Sequence, residues 1–458
     1  MLSFLRMSSG YPLLLLKYVP LLTCIVFPSN ICPRVRQPHR SRCMRNIDHT
    51  RSQSMSASAE LLQVLKAHAI QLYTSFPDKW LGPFLRELEA DPTLLHIPST
   101  IEREALGIAV GAQLAGLRSA LVMPNSGIGN LLNDWASLAY NYGITVPWIV
   151  SDRGSTGEQM TTQMIWHSRL RDVLAAAGIP AANCTSTLQL PDIAELLEYG
   201  YTTRQCVAAL FPHAFWREDL AMPQINPGSA LRAPLPVSEL VAWAKSGPPQ
   251  QATWRRYDAL TCLLDMLDDA WLFVTLGDPC KEVYSIRDRE ETFYMLGSMG
   301  VVLPLGLGFA RAYAALGGQR KTVVVDGDGS QLMQLGSLGT LAREQPDVAL
   351  IIIDNGSYGS TGDQPTLTRT QVNLAGVAQA LGLQNTLMVG TPHAFEARLK
   401  TVLTSPGPSV TVVTVCPGAP VTPLLPLPAI AIAQRFREAC GAEAASLPPA
   451  FAAGLSSS

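Results

Sequence analysis

The run Val323-Val324-Val325-Asp326-Gly327-Asp328-Gly329-Ser330 most constrains what this chain can fold into. It reads as a buried strand, a tight Gly-Asp-Gly turn and the start of a helix. A second buried run, Ile351-Ile352-Ile353-Asp354-Asn355, ends in an amide. Two such strands in one parallel sheet place Asp328 and Asn355 at their carboxyl ends, where α/β sheets hold ligands. A carboxylate and an amide oxygen are hard donors suited to Mg²⁺. The glycines let the backbone approach a phosphate closely. A lone Asp-Gly is an ordinary strand-to-helix turn. The asparagine 27 residues after Asp328 makes this pair more specific.

The rest of the chain alternates in the same way. Apolar positions at helical spacing in residues 104–114 precede a predicted strand at 119–123, and a predicted helix at 130–142 precedes a strand at 146–151. Further strands are predicted at 271–275, 322–326, 348–354 and 409–415. Alternation of this kind predicts parallel sheets with helices on both faces. Residues 221–253 contain Pro223, Pro227, Pro234, Pro236, Pro248 and Pro249 and read as a linker. The expected organisation is therefore one α/β unit over 56–220, the linker, a second unit over 254–440, and a tail over 441–458 rich in Ala, Ser and Pro. No internal sequence repeat is evident, although the two units could share a fold.

Hydrophobic residues make up 47% and charged residues 15%, enough apolar material for two large cores. The formal net charge of −2 gives no reason to expect nucleic acid as a partner. None of the nine cysteines forms a Cys-x-x-Cys pair, so they read as small buried hydrophobes of a reducing, cytoplasmic compartment. Residues 1–54 differ from the rest. The apolar stretch at 11–27 is broken by Pro12, Lys17 and Pro20, so no membrane span is expected, and five arginines follow before the first acid, Asp48. The segment reads either as an organelle-targeting extension or as sequence upstream of a natural start at Met55.

Two sets of three motifs, one in each half, together resemble a known family. In the second half they are Glu291-Thr292-Phe293-Tyr294-Met295-Leu296-Gly297-Ser298-Met299-Gly300, the Gly-Asp-Gly-Ser turn, and Asp354-Asn355-Gly356-Ser357-Tyr358-Gly359-Ser360-Thr361-Gly362-Asp363-Gln364-Pro365-Thr366. In the first half they are Glu102-Arg103-Glu104-Ala105, Pro124-Asn125-Ser126-Gly127-Ile128-Gly129-Asn130 and Asp152-Arg153-Gly154. The first set resembles the β subunit and the second the α subunit of sulfopyruvate decarboxylases, within the sulfopyruvate/phosphonopyruvate decarboxylase family of thiamine diphosphate enzymes. The resemblance spans roughly residues 60–435, as if two subunits were fused. It implies a pyrimidine-type followed by a diphosphate-type cofactor-binding domain. The linker is too short to be a middle domain, which needs at least ~50 residues.

What the resemblance implies for chemistry is specific. Thiamine diphosphate and Mg²⁺ would be the cofactors, and the substrate a 2-oxoacid bearing a sulfonate or phosphonate. Glu102 would be the catalytic acid at the cofactor's pyrimidine, with Glu104 its rival. Met299 would support the bent cofactor, and Gly297 and Ser298 would flank it. Asp328, Asn355 and the Ser357 carbonyl would bind the metal, and Gly329 and Ser330 the diphosphate. Asp326 and Asp354 would be structural. Asn125, Ser126, Tyr358, Ser360 and Thr361 are candidates for the reacting centre. Arg153, Arg287 and Arg289 are candidates for the substrate anion, and Asp78 for proton transfer. A histidine is common near the position of Tyr358 in phosphonopyruvate decarboxylases, so Tyr358 favours the sulfonate. The resemblance further implies a homodimer or homotetramer with cofactor sites at subunit interfaces. The alternatives are phosphonopyruvate decarboxylation and a catalytically silent cofactor-binding regulatory subunit. No Gly-x-Gly-x-x-Gly fingerprint or P-loop lysine points to a simple nucleotide-binding module.

Overall fold

Runs of Val, Ile and Leu buried on both faces form the centre of the molecule, as parallel strands covered by helices require. The structure is a computed structural model that describes residues 55–158, 160–220, 252–418 and 420–442. The N-terminal extension, nearly all of the linker and most of the tail lie outside the described residues.

The first half holds six parallel strands: β1 (Leu72–Ser75), β2 (Leu95–Pro98), β3 (Ser119–Pro124), β4 (Trp148–Asp152), β5 (Ala181–Asn183) and β6 (Ala208–Pro212). Their order across the sheet is β2-β1-β3-β4-β6-β5. In the second half come β7 (Ala270–Val274), β8 (Thr292–Tyr294), β9 (Lys321–Gly327) and β10 (Val348–Asp354), a small antiparallel pair β11 (Ser357–Tyr358) and β12 (Gln364–Pro365), then β13 (Thr386–Val389) and β14 (Ser409–Thr414). The second parallel sheet runs β8-β7-β9-β10-β14-β13. Counted within each half, the two orders are the same. The halves share one topology without a visible sequence repeat. In each sheet the order reverses between the first and third strands, which opens a crevice at their carboxyl ends.

Among the described residues there are two parallel sheets and no third domain. Predicted strands and observed strands differ mainly at the ends: the strand expected at 146–151 is Trp148–Asp152, and that at 271–275 is Ala270–Val274. The helix expected near 130–142 is in two parts, an α-helix Ile128–Asp134 and a π-helical stretch Trp135–Tyr140. Such widened turns recur at functional sites, and this one presses Ser137 against Gly297 and Ser298 of the other half.

Two helices join the halves. Glu102–Leu114 leaves β2 of the first half, and Val302–Ala315 follows the Met299 turn of the second. Their backbones meet at reciprocal glycines. A Cβ on Gly111 would lie 2.0 Å from the Leu305 carbonyl oxygen, and one on Gly308 would lie 2.0 Å from that of Ile108. Gly107 is similarly covered by Val301 and Pro304. A continuous core therefore crosses the seam, from Leu106 and Val110 to Leu305 and Phe309. In the second half, Phe436 of the C-terminal helix Ala429–Ala439 packs among Trp271, Phe273, Phe293 and Phe309, with ring centroids 5.1–5.7 Å away.

Candidate active site

The parallel register sets the carboxyl ends of β7, β9 and β10 side by side, with Val274 opposite Val325 and Gly327 opposite Ile353. Asp328 begins the next helix, six residues long, directly after β9. Thr275, Met299, Gly327, Asp328, Gly329, Ser330, Asn355, Ser357, Tyr358, Ser360 and Thr361 all line one cavity of about 170 Å³. The two strand ends read from the sequence thus share a site with the Met299 turn. Gly297 and Ser298 stand just behind that turn. Ser298 holds the left-handed conformation (φ 59°) and its hydroxyl meets Ser137 at 2.7 Å. A serine there is strained, and the strain is held by Gly300, whose amide donates to Ser330 Oγ at 2.9 Å. No described residue donates to the Gly297 carbonyl.

The electrostatics of the cavity call for a cation. Asp328 is only 2% exposed, and its Oδ2 accepts from Thr366 at 2.5 Å and Thr368 at 2.9 Å. Thr368 also lies 2.8 Å from Asp354 Oδ1. One hydroxyl hydrogen cannot serve both carboxylates. Burial first, then the charge of Asp354, pushes the Asp328 carboxyl up to about 6. Burial raises Asp354 as well, and carries Asp326 up to about 6. Asp326 Oδ1 accepts the Gly327 amide at 2.9 Å, while Oδ2 has no partner among the described residues. Buried carboxylates without a countercharge are costly. Asn355 Oδ1 accepts the Ser357 amide at 3.0 Å and retains a second lone pair. An Asp, an amide and a backbone carbonyl make an oxygen-only donor set that fits Mg²⁺ and leaves positions for phosphate and water.

Gly329 has a defined purpose. A Cβ there would lie 2.3 Å from the Tyr358 ring, so the aromatic rests directly on the turn. The ring occupies part of the space, and the cavity falls below the ~300 Å³ of ordinary small-molecule pockets.

The guanidinium lining the cavity is Arg256, which the sequence did not single out. It is held bidentately by Glu282 at 2.8 and 2.9 Å and faces Asp278 at 3.4 Å. Arg287 and Arg289 lie at the opposite edge of the sheet, donating to the carbonyls of Leu267, Asp268 and Ala270 where β7 begins.

In the first half the structure separates the two glutamates. Glu104 Oε2 accepts the Thr100 amide and hydroxyl, both at 2.6 Å, closing its own helix start. Glu102 is 2% exposed and accepts from Asn130 Nδ2 at 2.9 Å, with Gly127 against its side chain. Asn130 donates to its Oε2, whereas of these two glutamates the buried oxygen without a partner among the described residues is Glu104 Oε1. Between them, Arg103 binds Asp134 through two bonds of 3.0 Å and donates to the Met299 carbonyl at 2.6 Å. The Glu102 helix is thereby fastened to the Met299 turn. Within this chain the two halves meet where Arg103 reaches the Met299 carbonyl.

The remaining candidates gather at the carboxyl edge of the first sheet. Asn125 is fully buried and donates to the Arg153 carbonyl at 2.7 Å, and Ser126 follows it in a 3₁₀ turn. Arg153 is paired with both Asp78 and Glu158 and lies over Trp80. Asp78 also accepts from Ser151 at 2.8 Å. His167, which lies near the first-half motifs in sequence, joins this cluster 2.8 Å from Asp152. The seam glycines were legible in principle. Gly107 and Gly111 are four apart and share a helix face, but only the partner helix shows what that face approaches.

Comparison with known proteins agrees with this geometry. Residues 280–413 match the thiamine pyrophosphate enzyme, C-terminal TPP binding domain. A sulfopyruvate decarboxylase of Methanosarcina acetivorans is 29% identical over 83% of this chain and 96% of its own length. A phosphonopyruvate decarboxylase of Streptomyces hygroscopicus is 31% identical over 84% of this chain and 94% of its own. The halves also match separate chains: the sulfopyruvate decarboxylase β subunit of Methanocaldococcus jannaschii at 37% identity (40% of this chain, 96% of that one) and the α subunit of Methanothermobacter thermautotrophicus at 36% (33% and 93%). A thiamin diphosphate-dependent enzyme structure from Mycobacterium smegmatis shares the fold, with a TM-score of 0.61 at 14% identity over 79% of this chain and all of that one. Two parallel sheets of one topology, a diphosphate-type cavity and single-chain relatives matched almost end to end lead to one conclusion: this chain belongs to the sulfopyruvate and phosphonopyruvate decarboxylase family of thiamine diphosphate enzymes.

Proposed function

We propose that the chain decarboxylates 3-sulfopyruvate to sulfoacetaldehyde and CO₂, using thiamine diphosphate and Mg²⁺. The bond from the carboxylate to the keto carbon breaks, CO₂ leaves, and one proton is taken up at that carbon. The observation that carries this reading is the single cavity that unites Met299, the Gly327–Ser330 turn and Asn355, with the Glu102 helix fastened to it through Arg103. When bound, the cofactor supplies the electron sink that a 2-oxoacid lacks.

The chain's own residues supply the rest. Asp328, Asn355 and the Ser357 carbonyl would hold the metal, and the Gly329 and Ser330 amides would meet the diphosphate. Met299 would prop the cofactor and the Gly297 carbonyl would accept a hydrogen bond from its amino group. Glu102, buried and tied on one oxygen by Asn130, holds a proton at the pyrimidine end on the other. Asn125, Ser126, Tyr358, Ser360 and Thr361 are assigned to the reacting centre, and Arg153 to the substrate anion; of these, Tyr358, Ser360 and Thr361 line the cavity. We further propose a homo-oligomer in a reducing, cytoplasmic setting; the described cysteines are free thiols. No helix among the described residues is long and apolar enough to cross a membrane.

A phosphonopyruvate substrate is the second reading, favoured by the Streptomyces hygroscopicus relative. Against it, Arg256 is already matched by Glu282 and Asp278, so the cavity offers little free positive charge for a dianionic phosphonate. Release of CO₂ from a panel of 2-oxoacids, coupled to aldehyde reduction, tests the assignment. Turnover of sulfopyruvate well above phosphonopyruvate and pyruvate is expected. Preference for either of the others sinks it.

A further inference from the structure

The hairpin that follows β10 folds back over the ends of two strands. Its β11 and β12 pair Ser357 with Pro365 and Tyr358 with Gln364, and a 3₁₀ turn, Leu367–Arg369, comes next. Backbone closes it at the base, where the Thr366 amide donates to the Gly356 carbonyl at 3.1 Å. Side chains close the rest. Ser357 Oγ donates to Asp363 Oδ1 at 3.0 Å, and Thr361 Oγ1 donates to Gln364 Oε1 at 2.8 Å. Closed in this way, the hairpin brings Thr366 and Thr368 to Asp328, with Thr366 buried and Thr368 half-buried.

Both hydroxyls address one carboxylate oxygen. Asp328 Oδ2 accepts from Thr366 at 2.5 Å and from Thr368 at 2.9 Å, and the two hydroxyls stand 2.8 Å apart. Thr368 also meets Asp354 Oδ1 at 2.8 Å, and that same oxygen accepts the Gly356 amide at 3.1 Å. A carboxylate that holds the amide two residues on shapes a tight turn. This turn presents Asn355 and Ser357. One pair of hydroxyls therefore ties the end of β9 to the end of β10, and with them the three oxygen donors assigned to the metal. Two hydroxyl hydrogens cannot fill all four of these close contacts at once. Once Thr366 gives its hydrogen to Asp328, that of Thr368 goes either to Asp328 or to Asp354.

We propose that Thr366 and Thr368 are the positioning residues of the metal site and act on it through Asp328 and Asp354. The inference rests on the metal reading of Asp328, Asn355 and Ser357 proposed above. Two donors on Oδ2 fix the rotation of the Asp328 carboxylate and leave Oδ1 to a cation. A cation there takes over part of the Asp328 charge, so Thr366 suffices for Oδ2 and Thr368 turns to Asp354. Asp354 then steadies the turn that carries the other two donors. Partners one step behind a metal ligand typically set metal affinity by ~10–100-fold.

The test is Mn²⁺ binding to the full chain at a fixed concentration of thiamine diphosphate, read by loss of the free-ion electron paramagnetic resonance signal. Thr366→Val and Thr368→Val keep the branched shape and remove the hydroxyl. Thr368→Ser keeps the hydroxyl and removes the methyl. Each valine variant is expected to weaken Mn²⁺ ~10–100-fold, and Thr368→Ser to bind as wild type does. Thr368 is the less buried of the two, so its pair of variants decides the matter where Thr366→Val fails to fold. Asp328→Ala reports on the metal reading itself. Wild-type affinity in Asp328→Ala overturns that reading and the proposal with it. Weak binding in Asp328→Ala together with wild-type affinity in Thr368→Val overturns the proposal alone. Equal losses in Thr368→Val and Thr368→Ser also overturn it, because packing and not the hydroxyl would then hold the site.

Discussion

Gly111→Ala tests whether the seam positions the chemistry. The new Cβ would lie 2.0 Å from the Leu305 carbonyl oxygen and 2.7 Å from the Phe309 nitrogen. Both obstacles are backbone, so no side chain can swing aside. Ordinary contact begins at 3.4 Å, so the two helices must part by roughly 1.4 Å, the difference from 2.0 Å. Overpacking of this kind costs ~1–3 kcal/mol, or more where backbone must move, against a helix-propensity gain of ~1 kcal/mol. A net loss of ~2 kcal/mol and a fall of several degrees in melting temperature are expected. The larger effect falls on turnover. Glu102 is on one of these helices, and Met299 directly precedes the other. A misplacement of ~1 Å costs on the order of 10²-fold in rate. Gly339→Ala is the control, since nothing lies within 4 Å of its Cβ; it should gain up to ~1 kcal/mol and keep full activity. The assays are thermal melting and CO₂ release from sulfopyruvate. Wild-type melting and kcat in Gly111→Ala would refute the reasoning, because the helices would then have room to spare.

Three further outcomes are expected. Glu102→Gln should fold and bind cofactor yet lose ~10²–10⁴ in kcat, as removal of an acid–base group does; near-normal turnover would redirect the role to Glu104. Asp328→Ala should lose tight cofactor binding, because two neutral oxygens cannot hold a divalent cation beside a diphosphate; unchanged affinity by titration with thiamine diphosphate and Mg²⁺ would remove the turn from the site. The third concerns pH. Asp326 and Asp328 are raised from 3.8 to about 6 in the folded chain. Their contribution to stability is greatest below the unfolded value and is lost as pH rises through about 6. Bound Mg²⁺ offsets the ionised Asp328, so the melting-temperature gap between holo and apo protein should widen from about pH 5 to about pH 7.5. A gap that stays constant across that range would count against a metal at Asp328.

Much of the site was legible because it depends on short-range pattern. A β-branched run ending in glycine must become a buried strand and a tight turn, so Asp328 and Asn355 could be placed at neighbouring strand ends before any coordinates. Both line the same cavity. The pair Glu102 and Glu104 shows where that logic stops. Two acids in one first turn are equivalent to a sequence pattern, and only the fold turns Glu104 back onto Thr100. Arginines were harder still. The sequence offered Arg153, Arg287 and Arg289, whereas the candidate cavity is lined by Arg256. A long charged side chain can reach many partners, and its partners come from distant segments.

What the sequence by itself determined is the alternation that makes two parallel sheets, and the placing of Asp328 and Asn355 at the ends of two neighbouring strands. Tertiary structure alone decided the seam. Gly111 and Gly308 are unremarkable helical glycines until each backbone is found against the other. The physical reason is range. Backbone propensity and hydrophobic period act over a few neighbouring residues, while interhelical contact distance and shared electrostatic fields depend on segments about 200 residues apart that only packing brings together.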